Sequence, residues 1–342
     1  MPEYNFNLPP ITQLSLDQQN ALNEPTPIAL SGGPGTGKTV VSIYRHLNLH
    51  KNNKKSMLIT YTTTLAMYLK GSCRNESISA LESIETSLSF NKESANNYDE
   101  IIIDEAQDLP SSYYEVLKNH ANRVSYGADD AQILYPNNSC KQSELRTLFN
   151  SNRLYQLGKN YRSTKSILLF AKAAFQEAYI RLETINSCSQ NGDKPILLYS
   201  NDITKQNDAI INIIKQFQNN LGENIAILTP LARCPWAGGE RLTARYYFDL
   251  LARSGINDVS YYDHTLNGIT EIKGIHVTPF KSAKGLEFDT VIIPCFDSLF
   301  SNFRVIDWKD FFVGATRAKN NLFLICNTTI PSFESVTENT EL

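Results

Sequence analysis

The sequence predicts an α/β protein of two consecutive domains, each built on a parallel sheet. Three observations lead there. The chain has 342 residues, and at roughly 100–200 residues per domain it fills two hydrophobic cores. Short apolar runs alternate with stretches of helical periodicity, the pattern of strands crossed over by helices. The first apolar run also leads into a glycine-rich turn that opens a helix, a junction typical of such sheets.

Taken in order, the strands of the first half are expected at 28–30, 57–60, 101–103 and 124–126, with a helix over 38–49 where apolar residues recur every three to four positions. A second series comes after these. It has a helix over 163–178 and strands near 196–199, 225–228, 259–262, 275–278, 290–293 and 322–325, spaced by helices at 204–217 and 240–252. The break between the series divides the chain into a first domain (1–152), a second (153–330) and a polar tail (331–342), the one stretch expected to be disordered.

Composition removes several classes. Lys plus Arg is 32 against 35 Asp plus Glu, a net charge of −3, which excludes a polybasic protein that grips nucleic acid by bulk charge. A local basic groove remains compatible with that balance. No run approaches 18 apolar residues, and the opening MPEYNFNLPP has neither the basic region nor the apolar core of a signal peptide. Cys73, Cys140, Cys188, Cys234, Cys295 and Cys326 are scattered without a CxxC pair. The expectation is a cytoplasmic chain with reduced thiols, no membrane contact and no zinc site.

The strongest local signal is Gly32-Gly33-Pro34-Gly35-Thr36-Gly37-Lys38-Thr39. It fits GxxxxGK[ST] between a strand and a helix. Glycines such as Gly33, Gly35 and Gly37 let the backbone wrap a phosphate, and the N–H groups of the loop, Thr36 included, supply positive potential at the helix start. Lys38 would reach the β and γ phosphates, and the Thr39 hydroxyl would ligate Mg²⁺. About 65 residues later, Ile101-Ile102-Ile103 runs into Asp104-Glu105. A buried strand ending in two carboxylates sets them at the carboxyl edge of a parallel sheet, where ligands of this fold class bind. Asp104 would hold Mg²⁺ through water, and Glu105 would orient and deprotonate an attacking water.

With Asp104-Glu105-Ala106-Gln107-Asp108 in view, the chain resembles the UvrD/Rep-like branch of superfamily-one helicases from about residue 12 to residue 326. That resemblance implies two tandem RecA-like P-loop NTPase domains with ATP between them. Leu14 to Leu22 looks like the family's Q motif, which makes Gln18 the reader of the adenine edge. Leu58-Ile59-Thr60-Tyr61-Thr62 resembles the motif in which an aromatic residue, here Tyr61, touches single-stranded DNA. Gly127 to Tyr135 is similar to the motif whose glutamine, here Gln132, couples the γ-phosphate to the nucleic-acid groove. In the second domain, Asn160-Tyr161-Arg162-Ser163 implies that Tyr161 stacks on adenine and Arg162 contacts the γ-phosphate. Ser282 to Phe288 implies that Glu287 lies near the ribose, and Val313 to Lys319 makes Arg317 an arginine finger.

The same resemblance implies an Mg²⁺-dependent ATP hydrolase acting on single-stranded nucleic acid, DNA by family habit. An alternative is an ATP-driven switch for a partner protein such as a nuclease, as in bacterial antiviral-defence modules. The large insertions of full-length helicases are missing: only about 40 residues separate Thr62 from Ile101. Other departures are Val40 after the phosphate loop, Ala128 for a glycine, Pro136-Asn137-Asn138 for a base-stacking aromatic, and Lys281 for a histidine.

Weaker constellations have plainer readings. Asp263 with Glu271 and Lys273 has a nuclease-like spacing but reads as a loop into the next strand. His46 and His50, one helical turn apart, lack a third metal ligand and read as helix surface. Tyr113, Tyr114, Phe311 and Phe312 read as core or domain packing, and Trp236 as a turn-rich loop.

Overall fold

The computed structural model describes every residue except 1–3, 7, 91–96, 178–179, 221, 235–238, 263–270 and 301–306. It divides into an N-terminal unit, Phe6–Tyr161, and a C-terminal unit in which Met1–Asn5 joins Arg162–Leu342.

The N-terminal unit is built on six strands: β1 (Ile28–Ser31), β2 (Ser56–Thr60), β3 (Ile84–Thr86), β4 (Glu100–Ile103), β5 (Val124–Ala128) and β6 (Arg153–Gln156). They run parallel in the order β3-β2-β4-β5-β1-β6. The inner strands are buried and mostly apolar because helices cover both faces, and the buried Glu100 of β4 is paired with Arg45 at 2.5 Å. Alternation along β1 shows the two layers. Ala29 faces a core that holds Ile59, Ile103, Tyr114 and Phe149, while Ile28 and Leu30 face Val41 of the helix Lys38–Lys51 and Ala21 of the helix Leu16–Asn23.

The C-terminal unit carries seven strands: β7 (Ile196–Tyr199), β8 (Ile225–Thr229), β9 (Ser260–Tyr261), β10 (Ile275–Pro279), β11 (Phe288–Ile293), β12 (Ala318–Cys326) and β13 (Glu338–Glu341). Their order is β13-β7-β12-β11-β8-β10-β9, again with parallel pairing. One face packs Ile210, Ile213 and Ile214 of the helix Ile203–Phe217, with Tyr247 and Leu251 of the helix Ala244–Arg253, against Ile227, Val277 and Ile292. An aromatic cluster also fills this unit, in which Phe170, Phe296 and Phe300 surround Phe333.

Three strands depart from the expected set. β3, β6 and β13 had no apolar run to announce them, and all three are sheet edges. β6 pairs with β1, so residues 153–161, assigned from sequence to the second domain, fold with the first. The tail expected to be disordered is ordered: Phe333 is buried, and β13 pairs with β7. Tyr4 and Asn5 also cross over to the C-terminal unit, where Asn5 and the side chain of Asn224 exchange two hydrogen bonds of 2.9 and 3.1 Å.

Candidate functional site

The phosphate loop leaves β1 and enters the helix Lys38–Lys51 through Gly37, whose φ of +86° lies in the left-handed region. A side chain at Gly37 would meet the amide of Gln18, so both conformation and space demand glycine. Gln18 is buried. Its Nε2 donates to the Thr36 carbonyl at 3.0 Å and its Oε1 accepts from Ser15 N at 2.9 Å, closing a capping box on the helix Leu16–Asn23. The residue assigned to the adenine edge therefore also braces the loop. Lys38 lies within the loop, donating to the carbonyls of Gly32 at 2.7 Å and Gly33 at 3.1 Å.

Asp104 lies directly after β4 and receives the Thr39 hydroxyl at 2.8 Å on Oδ2 and the Ser42 hydroxyl at 3.4 Å on Oδ1. Burial, and then the neighbouring Glu105 carboxylate, push its pKa well above the usual carboxylate range, against the Thr39 bond and the Lys38 charge. A hydroxyl and a carboxylate this close form a hard oxygen donor pair that fits Mg²⁺, with water and phosphate oxygens completing an octahedron. Among the described residues no cluster of three His, Cys, Asp or Glu is gathered to hold a metal alone, so such an ion would depend on the nucleotide.

Glu105 is a non-glycine residue at φ +57°, a conformation that costs on the order of 1 kcal/mol and turns its side chain out of the strand direction. Its Oε2 accepts from Gln107 Nε2 at 2.6 Å. Gln107 Oε1 accepts from Asp129 N at 3.1 Å, and Asp129 Oδ2 accepts from Gln132 Nε2 at 2.6 Å. Glu105 and Gln132 are thus joined through two residues that motif reading did not single out. The glutamine in DEAQD was visible, but its partner lies 22 residues away.

Beside the loop is a cavity of about 310 Å³ lined by Ser15, Asp17, Thr36, Leu157, Lys159 and Tyr161. Tyr161 is 37% exposed and carries the Lys159 ammonium 5.1 Å from its ring centroid. Its backbone N–H donates to Gly35 at 2.8 Å, and Asn160 Nδ2 donates to Pro34 at 2.7 Å. Tyr161 therefore belongs to the phosphate-loop unit, whereas its neighbour Arg162 belongs to the other. Tyr61, half-buried at the end of β2, lies 4.9 Å from Tyr135 between ring centroids.

In the C-terminal unit Arg162 Nε pairs with Glu287 Oε2 at 3.1 Å. Tyr4 bonds the Glu287 backbone through its hydroxyl, donating to the carbonyl at 2.5 Å and accepting from the N–H at 3.3 Å. No sequence signal marked Tyr4. Arg317 is 0% exposed; its guanidinium donates to Val313 O at 3.0 Å, Leu286 O at 3.4 Å and the Thr316 hydroxyl at 3.4 Å.

The weaker constellations resolve into structure. His46 is buried rather than on the helix surface, with Nδ1 2.8 Å from the Ser56 hydroxyl and Nε2 2.9 Å from Ala80 O. Lys273 pairs with Asp258 at 2.9 Å and Glu271 at 3.4 Å. Tyr113, Tyr114, Phe311 and Phe312 are core. Asp263 and Trp236 lie outside the described residues. No helix among the described residues is long and apolar enough to cross a membrane.

A phosphate loop and an Asp-Glu pair on one of two tandem parallel-sheet RecA-like domains define a two-domain P-loop NTPase. Two family profiles match the chain, an AAA domain over residues 18–135 and the UvrD-like helicase C-terminal domain over 256–329. Together the two domain matches support a UvrD-like helicase/ATPase. Among solved structures, the PRRSV helicase aligns at 12% identity and TM-score 0.45, over 91% of this chain and 54% of that one. Arterivirus nonstructural protein 10 (helicase) aligns at 10% and 0.44, over 90% and 61%. The C-terminal domain of a possible DNA helicase from Lactobacillus plantarum WCFS1 aligns at 19% and 0.38, over 52% and 98%. The chain spans 54% and 61% of the length of the first two. No curated protein matches it.

Proposed function

We propose that the chain is a cytoplasmic Mg²⁺-dependent ATP hydrolase whose turnover is coupled to binding, and to translocation along or remodelling, of single-stranded nucleic acid, DNA in preference to RNA. The observation that carries this is the Thr39 hydroxyl bonded to the buried Asp104 carboxylate, with Glu105 beside it, next to a loop built to hold phosphates. The loop N–H groups and Lys38 bind the phosphate oxygens. Thr39, and Asp104 through water, would hold Mg²⁺, which would supply positive charge to the phosphates. Glu105 orients a water and takes its proton as the new bond to phosphorus forms and the bond to the ADP oxygen breaks. Arg162 and Arg317 stabilise the charge that develops in transfer, and the cavity beside Tyr161 takes the base. Tyr61 is the contact proposed for a nucleotide base of the strand.

The test is steady-state ATP hydrolysis with Mg²⁺, alone and with single-stranded DNA, duplex DNA or RNA, using Glu105→Gln as the blank. Stimulation by single strands is expected, greatest with DNA. Hydrolysis unchanged by any nucleic acid would overturn the coupling and turn the search to a protein partner such as a nuclease. No hydrolysis above the blank would overturn the enzyme reading.

A further inference from the structure

The link between Glu105 and Gln132 has a chemical direction. Gln107 is 0% exposed, so its amide must find partners within the fold. One end is settled by the backbone: Asp129 N–H can only donate, so the atom it meets at 3.1 Å is the amide oxygen. The NH₂ end is thereby aimed at Glu105, where it donates to Oε2 at 2.6 Å. That bond braces a side chain whose own backbone sits in the unfavourable left-handed region.

Asp129 is tied in turn to the residues immediately after it. Its carboxylate accepts from Ala131 N at 3.1 Å and from Gln132 Nε2 at 2.6 Å, making a tight turn at the end of β5. Three residues on, Tyr135 meets Tyr61. The backbone of Gln107 is held as well, its carbonyl accepting from Cys140 N at 3.1 Å. A ring contact, three residues of backbone and three hydrogen bonds thus lie between Tyr61 and the Glu105 carboxylate inside one unit.

We propose that Gln107 is a positioning residue for hydrolysis, holding the Glu105 carboxylate by one amide end and the Asp129–Gln132 turn by the other. This rests on the reading of Glu105 as the base.

The test uses the full chain with Gln107→Leu, which keeps volume and removes both bonds, and Gln107→Glu, which keeps the acceptor and replaces the donor with a second carboxylate. In saturating single-stranded DNA, Gln107→Leu is expected to lower kcat by about tenfold to a hundredfold, with KM for ATP changed by less than about twofold. Gln107→Glu should show a similar loss at about pH 8 and recover relative to the parent towards about pH 6, because two carboxyls in contact hold a proton between them and restore the donor. Gln107→Leu should not recover. Parental kcat in Gln107→Leu, a loss confined to KM, or parallel pH profiles for the two variants would overturn the proposal. If Gln107→Leu fails to fold, Gln107→Glu at about pH 8 decides by the same split: a lowered kcat with KM for ATP kept supports the proposal, and parental kcat or a loss confined to KM overturns it. A parent chain without ATP turnover, seen before any substitution, removes the base reading and this proposal together; an active parent with an unaffected Gln107→Leu removes this proposal only.

Discussion

In the N-terminal unit the charged and polar side chains gather where strands end: the phosphate loop after β1, Tyr61 after β2, Asp104 and Glu105 after β4, Gln132 after β5. In the C-terminal unit the corresponding cluster stands where strands begin, Glu287 just before β11 and Arg317 just before β12. Under the proposed function the difference follows from the task of each set. Phosphate binding draws on backbone N–H groups and the positive end of a helix, and in a parallel sheet helices start from the carboxyl ends of strands. An arginine brings its own charge and five donors on a long stem, so it needs no helix N-terminus. It needs acceptors to hold it, which the carbonyls of Leu286 and Val313 provide for Arg317.

The largest effect expected from breaking this division is at Arg317. Arg317→Ala should lower kcat by about 10³-fold or more while ATP binding survives, measured by single-turnover hydrolysis beside binding of a fluorescent ATP analogue. Loss of binding with unchanged kcat would show that the strand-start cluster does the work assigned to the strand-end cluster. Glu105→Gln comes next, with a loss of about 10²–10⁴ in kcat and ATP affinity retained. Retained turnover would take the base away from the N-terminal unit.

Acid tests both units at once, because each buries a neutral histidine. Burial lowers His46 to about 4 and His276 to about 3, from an ordinary 6.5. Between those values the unfolded chain binds the protons and the folded chain does not, so stability is full above about pH 6.5 and is lost as pH falls towards about 4 for His46 and about 3 for His276. The His46 contribution is on the order of 3 kcal/mol. Hydrogen exchange followed on β2 and β10 should rise together over that window; softening of one sheet alone would show that the histidines are not its cause. The smallest effect concerns the Thr39 hydroxyl. Thr39→Val should raise the Mg²⁺ concentration for half-maximal turnover by about tenfold, roughly the loss of one charge-assisted hydrogen bond or ligand. An unchanged Mg²⁺ requirement would separate Thr39 from the metal.

Particular elements show how much was legible in the chain. Ile101-Ile102-Ile103 and Ile225 to Leu228 announce themselves because a strand covered on both faces must be apolar throughout. The edge strands β6 and β13 are mostly exposed and have no such requirement. Pairing partners create them: β1 recruits Arg153–Gln156, and β7 recruits Glu338–Glu341. The site divides in the same way. Lys38 and Thr39 stand out in the chain because the loop before them needs glycine φ angles at neighbouring positions, and Asp104 and Glu105 because they end an apolar strand. Gln107 was readable only as a letter in a motif, since its task depends on Asp129.

The amino-acid order alone settled the interior strands, the phosphate loop and the succession of two α/β domains, because each is imposed by neighbours within a few residues. Folding in three dimensions decided that Tyr161 and Arg162 part into different units and that Tyr4 joins the second of them. It also decided that His46 and Arg317 are buried, and that Glu105 and Gln132 are joined through Gln107 and Asp129. Each of those outcomes depends on a partner far along the chain, and local pattern carries no record of who that partner is.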